Sequence, residues 1–172
     1  MPIADTDNEA IMEAKSNLEI ALGHQVHILR EILASMKNEH QALKDENYHV
    51  LQGFEEQRSP LFTSFERWKN VFYDAVSKIG QNTDFSEQPL LAEGLSGLRE
   101  ILASDDIELL VLQEQVNAIL IEIQNESKAT QHFLEDQSIP VDLMPIYAPD
   151  VSSKLSKVAI GLIDPEDEAE II

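Results

Sequence analysis

Residues 18–43 read LEIALGHQVHILREILASMKNEHQAL, and the spacing of the apolar residues in this stretch decides the fold. Apolar residues recur at alternating steps of four and three, and polar residues fill the series only at Gln25 and Glu39. The apolar members of the series are Leu18, Leu22, Leu29, Ile32, Met36 and Leu43. This spacing places the side chains along one face of an α-helix, so it predicts a seam against which another helix packs.

The same spacing returns later in the chain, with polar interruptions at Asp105 and Glu126. The members of this second series are Leu91, Leu95, Leu98, Leu102, Leu109, Leu112, Val116, Ile119, Ile123, Thr130 and Phe133. Two long helices with matching apolar stripes are expected to pack together or to hold a third helix. Such stripes do not frame a polar active site.

The composition describes an acidic protein of one domain. The chain has 172 residues, of which 43% are hydrophobic, and this is enough to bury a single core. Twelve basic residues stand against 32 acidic ones, which gives a net charge of −20. This charge repels phosphate backbones and anionic membrane surfaces over a screening length of about 8 Å. We therefore expect neither nucleic acid nor a membrane as a partner.

The expected location is the cytoplasm. The chain contains no cysteine, so disulfides and thiol chemistry are excluded. Residues 1–10 include acidic residues where a signal peptide would have a basic start and an apolar run. No apolar run approaches the roughly 20 residues that a membrane-spanning helix requires.

We predict an all-α fold, an elongated antiparallel bundle or coiled coil of about three long helices with an irregular C-terminal tail. The helical bundle covers residues 1–137 and the tail covers residues 138–172. The predicted helices span about residues 7–43, 47–79 and 89–137.

The connection between the first two helices has two interpretations. Residues 37–49 contain few apolar side chains, which favours a tight hairpin near residues 44–47. The alternative is one continuous helix from about residue 7 to residue 79, whose length at 1.5 Å per residue would be roughly 110 Å. The hairpin is favoured because the remaining chain could hardly cover so long a helix.

The second helix carries an aromatic-rich stripe and a proline. The stripe consists of Val50, Leu51, Phe54, Leu61, Phe65, Trp68, Phe72, Val76 and Ile79. Pro60 lacks a backbone donor and its ring clashes with the preceding turn. It predicts a kink, or a restart of the helix with Ser59 as the cap.

Residues 138–172 differ from the rest of the chain. Four prolines, at positions 140, 145, 149 and 165, exclude a long helix, while several apolar residues remain between them. A short helix over 150–160 is compatible with this sequence, and an acidic end follows Asp164. The tail either docks on the helices of this chain or on a partner, and the sequence does not choose between the two.

No pattern of catalytic or metal-binding residues emerges. Glu46 and His49 have the Glu-x-x-His spacing of di-iron bundles, but such a site needs a second copy of the motif and two more glutamates. Glycine-rich phosphate loops and nucleophile elbows are absent from the sequence. Adjacent acids such as Glu55 and Glu56 are typical of a solvated helix face. We therefore predict a protein that is not an enzyme and that has no metal or cofactor.

Short motifs between residues 18 and 150 resemble those of the FlgN-like flagellar export chaperone family, which escorts hook-associated proteins. The similar positions are an acid followed by Ala-Leu, a basic residue three before a leucine, an asparagine three before a Leu-Ile pair, and a tyrosine in the tail. In this chain they are Glu39, Ala42, Leu43, Arg58, Leu61, Phe62, Asn117, Leu120, Ile121 and Tyr147. The resemblance implies a small cytoplasmic helical protein that binds the C-terminal helices of export substrates and delivers them, soluble and unassembled, to a type III export apparatus.

The resemblance also implies that partners bind the C-terminal half. An amphipathic partner helix would lie against apolar residues spaced by three and four. The candidate residues are Leu109, Leu112, Val116, Asn117, Leu120, Ile121, Ile123, Phe133, Leu134, Leu143, Ile146 and Tyr147. Residues with this spacing belong to the core more often than to a binding surface, and the exposure of their side chains distinguishes the two roles. The alternative function is a structural bundle that self-associates through its seams; we expect a monomer or a weak homodimer.

Overall fold

Every regular element in the described part of the chain is helical, which confirms the prediction of an all-α bundle. The computed structural model describes residues 3–81 and 106–137, with side chains from residue 8 onward. Its elements are α1 (Ile3–Lys44), a 3₁₀ turn (Tyr48–Val50), α2 (Leu51–Gln81) and α3 (Ile107–Asp136). The predicted helical residues 89–105, the tail after residue 138 and the short helix over 150–160 lie outside the described residues.

The central element is α1, which packs along α2 and also along α3. All eight positions of the four-three series in residues 18–43 are buried, and none is more than 2% exposed. Gln25 and Glu39 are as buried as the apolar members. α2 and α3 make almost no close backbone approach to one another. The seam of α1 is therefore the common core surface of the bundle.

The chain reverses direction directly after α1, as the hairpin interpretation predicts. The backbone N–H of Asn47 donates to the carbonyl of Ala42 at 2.8 Å, and the N–H of Glu46 donates to the carbonyl of Leu43 at 3.2 Å. Glu46 has a φ of 56°, in the left-handed region. These two bonds and the left-handed residue form a Schellman cap, which satisfies the last carbonyls of α1. The chain therefore does not form a continuous helix over residues 7–79.

α2 returns antiparallel to α1. Ser35 of α1 contacts Arg58, while His24, earlier in α1, stacks on Trp68 at a ring-centroid distance of 3.9 Å. One row of buried residues on α2 recurs at every seventh position. The members of this row are Leu51, Arg58, Phe65, Phe72 and Ile79. Arg58 therefore occupies a core position that the aromatic-rich stripe of the sequence analysis did not include.

The charge of Arg58 is neutralised inside the core. Its guanidinium forms an ion pair with the carboxylate of Glu39, and both side chains are almost fully buried. Nη1 of Arg58 also donates a hydrogen bond of 3.5 Å to Oγ of Ser35. Removing two charges from water carries a large desolvation penalty, which only close pairing offsets. Glu39, a polar position of the α1 seam, thus lies opposite Arg58, the polar position in the buried row of α2.

α2 passes through Pro60 without a break, so the predicted restart at Ser59 is wrong. Pro60 cannot donate to the carbonyl of Glu56, four residues earlier. Glu56 and Pro60 are both exposed, which allows water to bind that carbonyl. Because the buried face of α2 lies on the other side, core packing holds the helix together across the proline.

We predict strong coupling between Glu39 and Arg58. Arg58→Met or Glu39→Leu alone should lower the free energy of unfolding by about 3–5 kcal/mol, because each leaves one buried charge unpaired. The double variant should recover most of this loss, since it leaves no charge behind. Denaturant unfolding of the four proteins measures the coupling. Losses that simply add in the double variant would contradict the prediction.

Pro60→Ala should stabilise the protein by up to about 3 kcal/mol, because alanine restores the missing donor in an exposed helix interior. Ser59→Ala on the same exposed stretch is the control, with an expected change within about 0.5 kcal/mol. The midpoint of chemical denaturation reports both. A Pro60→Ala variant no more stable than the parent would contradict the prediction.

Candidate protein-interaction surface

α3 runs parallel to α1, and two ion pairs define their alignment. Nζ of Lys15 lies 2.8 Å from Oδ2 of Asp106, directly before α3, and Nζ of Lys37 lies 3.7 Å from Oε2 of Glu122. Residue numbers therefore increase together along the two helices. One face of α3 is turned to the seam of α1 along the described length of α3.

The inner face of α3 mixes apolar and polar side chains. Its buried residues fall mainly in two rows, each with a period of seven. The rows are Leu109, Val116, Ile123 and Thr130, and Gln113, Leu120, Ser127 and Leu134. Three of the eight are polar, whereas the corresponding row on α2 has one polar member, Arg58. α3 therefore packs against α1 through a more polar seam than α2 does.

One polar contact of this seam involves His40. Its Nδ1 lies 2.9 Å from Oε1 of Glu126 and 3.2 Å from Oγ1 of Thr130. Glu126 is a polar residue within the apolar series of the sequence, and its side chain contacts His40 of α1. The neighbouring residue on α1, Glu39, pairs with Arg58 of α2. Adjacent residues of α1 thus form polar contacts with both other helices, which creates a polar layer across the bundle.

Amide groups in the core lack hydrogen-bond partners among the described residues. They are both polar atoms of the Gln25 side chain, Nε2 of Gln113 and Oδ1 of Asn117. A buried polar group without a partner costs about 1–3 kcal/mol of stability. Unpaired amides of this kind lower the net stability of the fold.

The predicted partner-binding residues divide into three groups. Ile121 is 42% exposed, and Leu112, Asn117 and Phe133 are partly buried. The side chains that are buried in the bundle are Leu109, Val116, Leu120, Ile123 and Leu134. The tail residues Leu143, Ile146 and Tyr147 lie outside the described residues. In this conformation, the buried group is core and Ile121 is the member that faces solvent most.

The outward face of α3 carries further exposed apolar residues that the sequence analysis missed. Ile107 is 62% exposed, Val111 is 46% exposed, and Ala118 is also exposed. We call Ile107, Val111, Ala118 and Ile121 the outer stripe. With Glu114 in the gap between Val111 and Ala118, the spacing is again four-three, and each apolar member lies one or two residues before a member of the series through Leu109.

Other kinds of site have little support in the described residues. Glu46 and His49, the Glu-x-x-His pair, are both exposed at the turn. The part of the chain that the structure describes has no group of three or more histidine, cysteine or acidic residues that could hold a metal ion. Its helices also lack the combination of length and apolar character that a membrane span needs. The outer stripe is thus the surface with the clearest chemical character.

Leu120 and Ile121 offer a direct test of the two faces of α3. Leu120→Ala should cost about 2–5 kcal/mol of folding free energy, because it removes a buried side chain and leaves a cavity. Ile121→Ala should change the stability by no more than about 0.5 kcal/mol, because its side chain faces solvent. Thermal and denaturant unfolding of the two variants give these values. Equal losses would show that Ile121 is covered in solution.

Comparison of the chain with protein-family models, with curated proteins and with solved structures finds no match in any of the three.

Proposed function

We propose that this protein is a non-enzymatic cytoplasmic export chaperone. It binds an amphipathic C-terminal helix of a hook-associated-type secretion substrate and keeps that substrate soluble for type III export. Recognition is of the helix-in-groove type, in which apolar residues at steps of three and four meet an apolar surface. The proposal starts from the resemblance of short motifs to the FlgN-like flagellar export chaperones.

The observation that carries the proposal is the convergence of motif residues around the hairpin. Glu39 and Arg58 belong to separate motifs of the resemblance and form the buried ion pair. Ala42 and Leu43, which complete the first motif, belong to a small apolar cluster near the turn. The motif residues therefore shape the α1–α2 packing. This supports the resemblance, because residues with a joint structural role are more informative than matches that are scattered over the surface.

The motif on α3 has a different arrangement. Leu120 packs in the main core, whereas Ile121 is exposed, so one short motif serves both the bundle and its surface. Asn117 lies between these extremes and is partly buried. This arrangement is compatible with a chaperone, in which the same helix must hold the fold together and present apolar side chains to a client.

The test uses the full chain with the C-terminal segments of hook-associated-type proteins encoded by the same genome. We expect a stable complex in size-exclusion chromatography with light scattering, and less aggregation of the client when the protein is present. The same clients without their C-terminal segments serve as the control and should not bind. Absence of binding to every such segment would contradict the proposed function.

Self-association as a structural bundle is the second candidate, and the exposed apolar outer stripe is the observation that favours it. The same light-scattering measurement separates the two functions. A mass of 19.4 kDa that does not change with concentration excludes an obligate oligomer. A larger mass at all concentrations would favour the structural role.

A further inference from the structure

The outer stripe has the spacing of a coiled-coil seam. From Ile107 the steps to Val111, Glu114, Ala118 and Ile121 are four, three, four and three residues. Fourteen residues of α-helix cover about 21 Å, which is long enough to contact some four turns of a partner helix. α3 therefore carries two seams, one that faces α1 and one that faces solvent.

The charges around the outer stripe have one sign. Residues 107–122 contain Glu108, Glu114 and Glu122 and no lysine or arginine. Glu122 pairs with Lys37 of α1, and both side chains of this ion pair are more than half exposed. An approaching basic helix would be attracted by this surface, and an acidic one would be repelled.

A second copy of the chain does not fit this surface well. Each copy has a net charge of −20, and two outer stripes in contact would bring two sets of glutamates together. Like charges at coiled-coil flanks oppose pairing, whereas opposite charges select the partner. The charge of the surface thus argues for a different chain with the opposite sign.

We propose that the outer stripe of α3 is the docking surface for an amphipathic partner helix whose apolar side chains are flanked by lysine or arginine. This inference rests on the proposed function, since it names the surface and the charge class of the client. The apolar side chains of the partner pack on Ile107, Val111 and Ile121, and its basic flanks face the glutamates. The inner face of α3 stays in the bundle during binding.

Two double variants of the full chain test this surface with equal changes in charge. Val111→Glu with Ile121→Glu alters the outer stripe. Met12→Glu with Ile20→Glu alters two exposed apolar residues of α1 and is the matched control. The probe is a synthetic helix with leucine at four-three spacing and lysine at the flanking positions. A second peptide with glutamate in place of lysine tests the charge requirement, and circular dichroism verifies that both variants are folded.

We expect the lysine-flanked peptide to bind the parent protein, and the outer-stripe variant to bind it at least about tenfold more weakly in fluorescence anisotropy. The control variant should bind within about twofold of the parent, because it leaves the outer stripe intact; it has the same net charge as the outer-stripe variant, so the comparison isolates the stripe. The glutamate-flanked peptide should not bind. Equal weakening by both variants would show that binding does not depend on the outer stripe and would overturn the inference.

Two further outcomes separate this inference from the proposed function. If a natural hook-associated-type segment binds the parent and the outer-stripe variant equally, the inference fails while the chaperone function stands. If no such segment binds but the lysine-flanked peptide still depends on the outer stripe, the surface stands and the proposed client class fails. A dimer of the parent that is lost in the outer-stripe variant would make a second copy the occupant and overturn the inference.

Discussion

The buried ion pair between Glu39 and Arg58 constrains how the helices of this protein pack. Both charges lie in the core, so a shift of α2 along α1 by one turn would separate them and leave two charges without partners. Apolar seams tolerate several alignments, and buried polar pairs select one. His40, the next residue of α1, is turned by about 100° around the helix axis from Glu39. It contacts Glu126 and Thr130 of α3. The polar layer thereby links the alignment of all three described helices.

Because α1 lies between the other two helices, α3 has an inner face that packs on α1 and an outer face that is turned away from it. Because α3 packs on α1 and scarcely approaches α2, the other described helices leave a large part of its circumference uncovered. The inner face contributes to the core through residues such as Val116 and Ile123, and the outer face presents Ile107 and Val111 to solvent. An exposed apolar helix face such as this one has the geometry for packing against another helix.

Charge sets the selectivity of such a surface. Apolar contacts supply affinity for many amphipathic helices, and the acidic residues around the stripe discriminate among these helices by the sign of their charge. The strong net negative charge also opposes self-association of a protein with exposed apolar side chains. The same net charge underlies both the expectation that nucleic acid is not a partner and the proposed preference for basic helices.

The sequence by itself determined the helical class and the membership of the α1 seam, including the buried places of Gln25 and Glu39, and it favoured the hairpin over a continuous helix without deciding between them. It could do so because helical periodicity shows which residues share a face. Only the tertiary structure decided that Arg58 is the partner of Glu39, that α2 continues through Pro60, and that Leu120 is core while Ile121 is exposed. These outcomes depend on which faces neighbouring helices cover, and that coverage is a property of contacts between residues far apart in the chain. Periodicity describes each helix alone, whereas burial is decided by its neighbours.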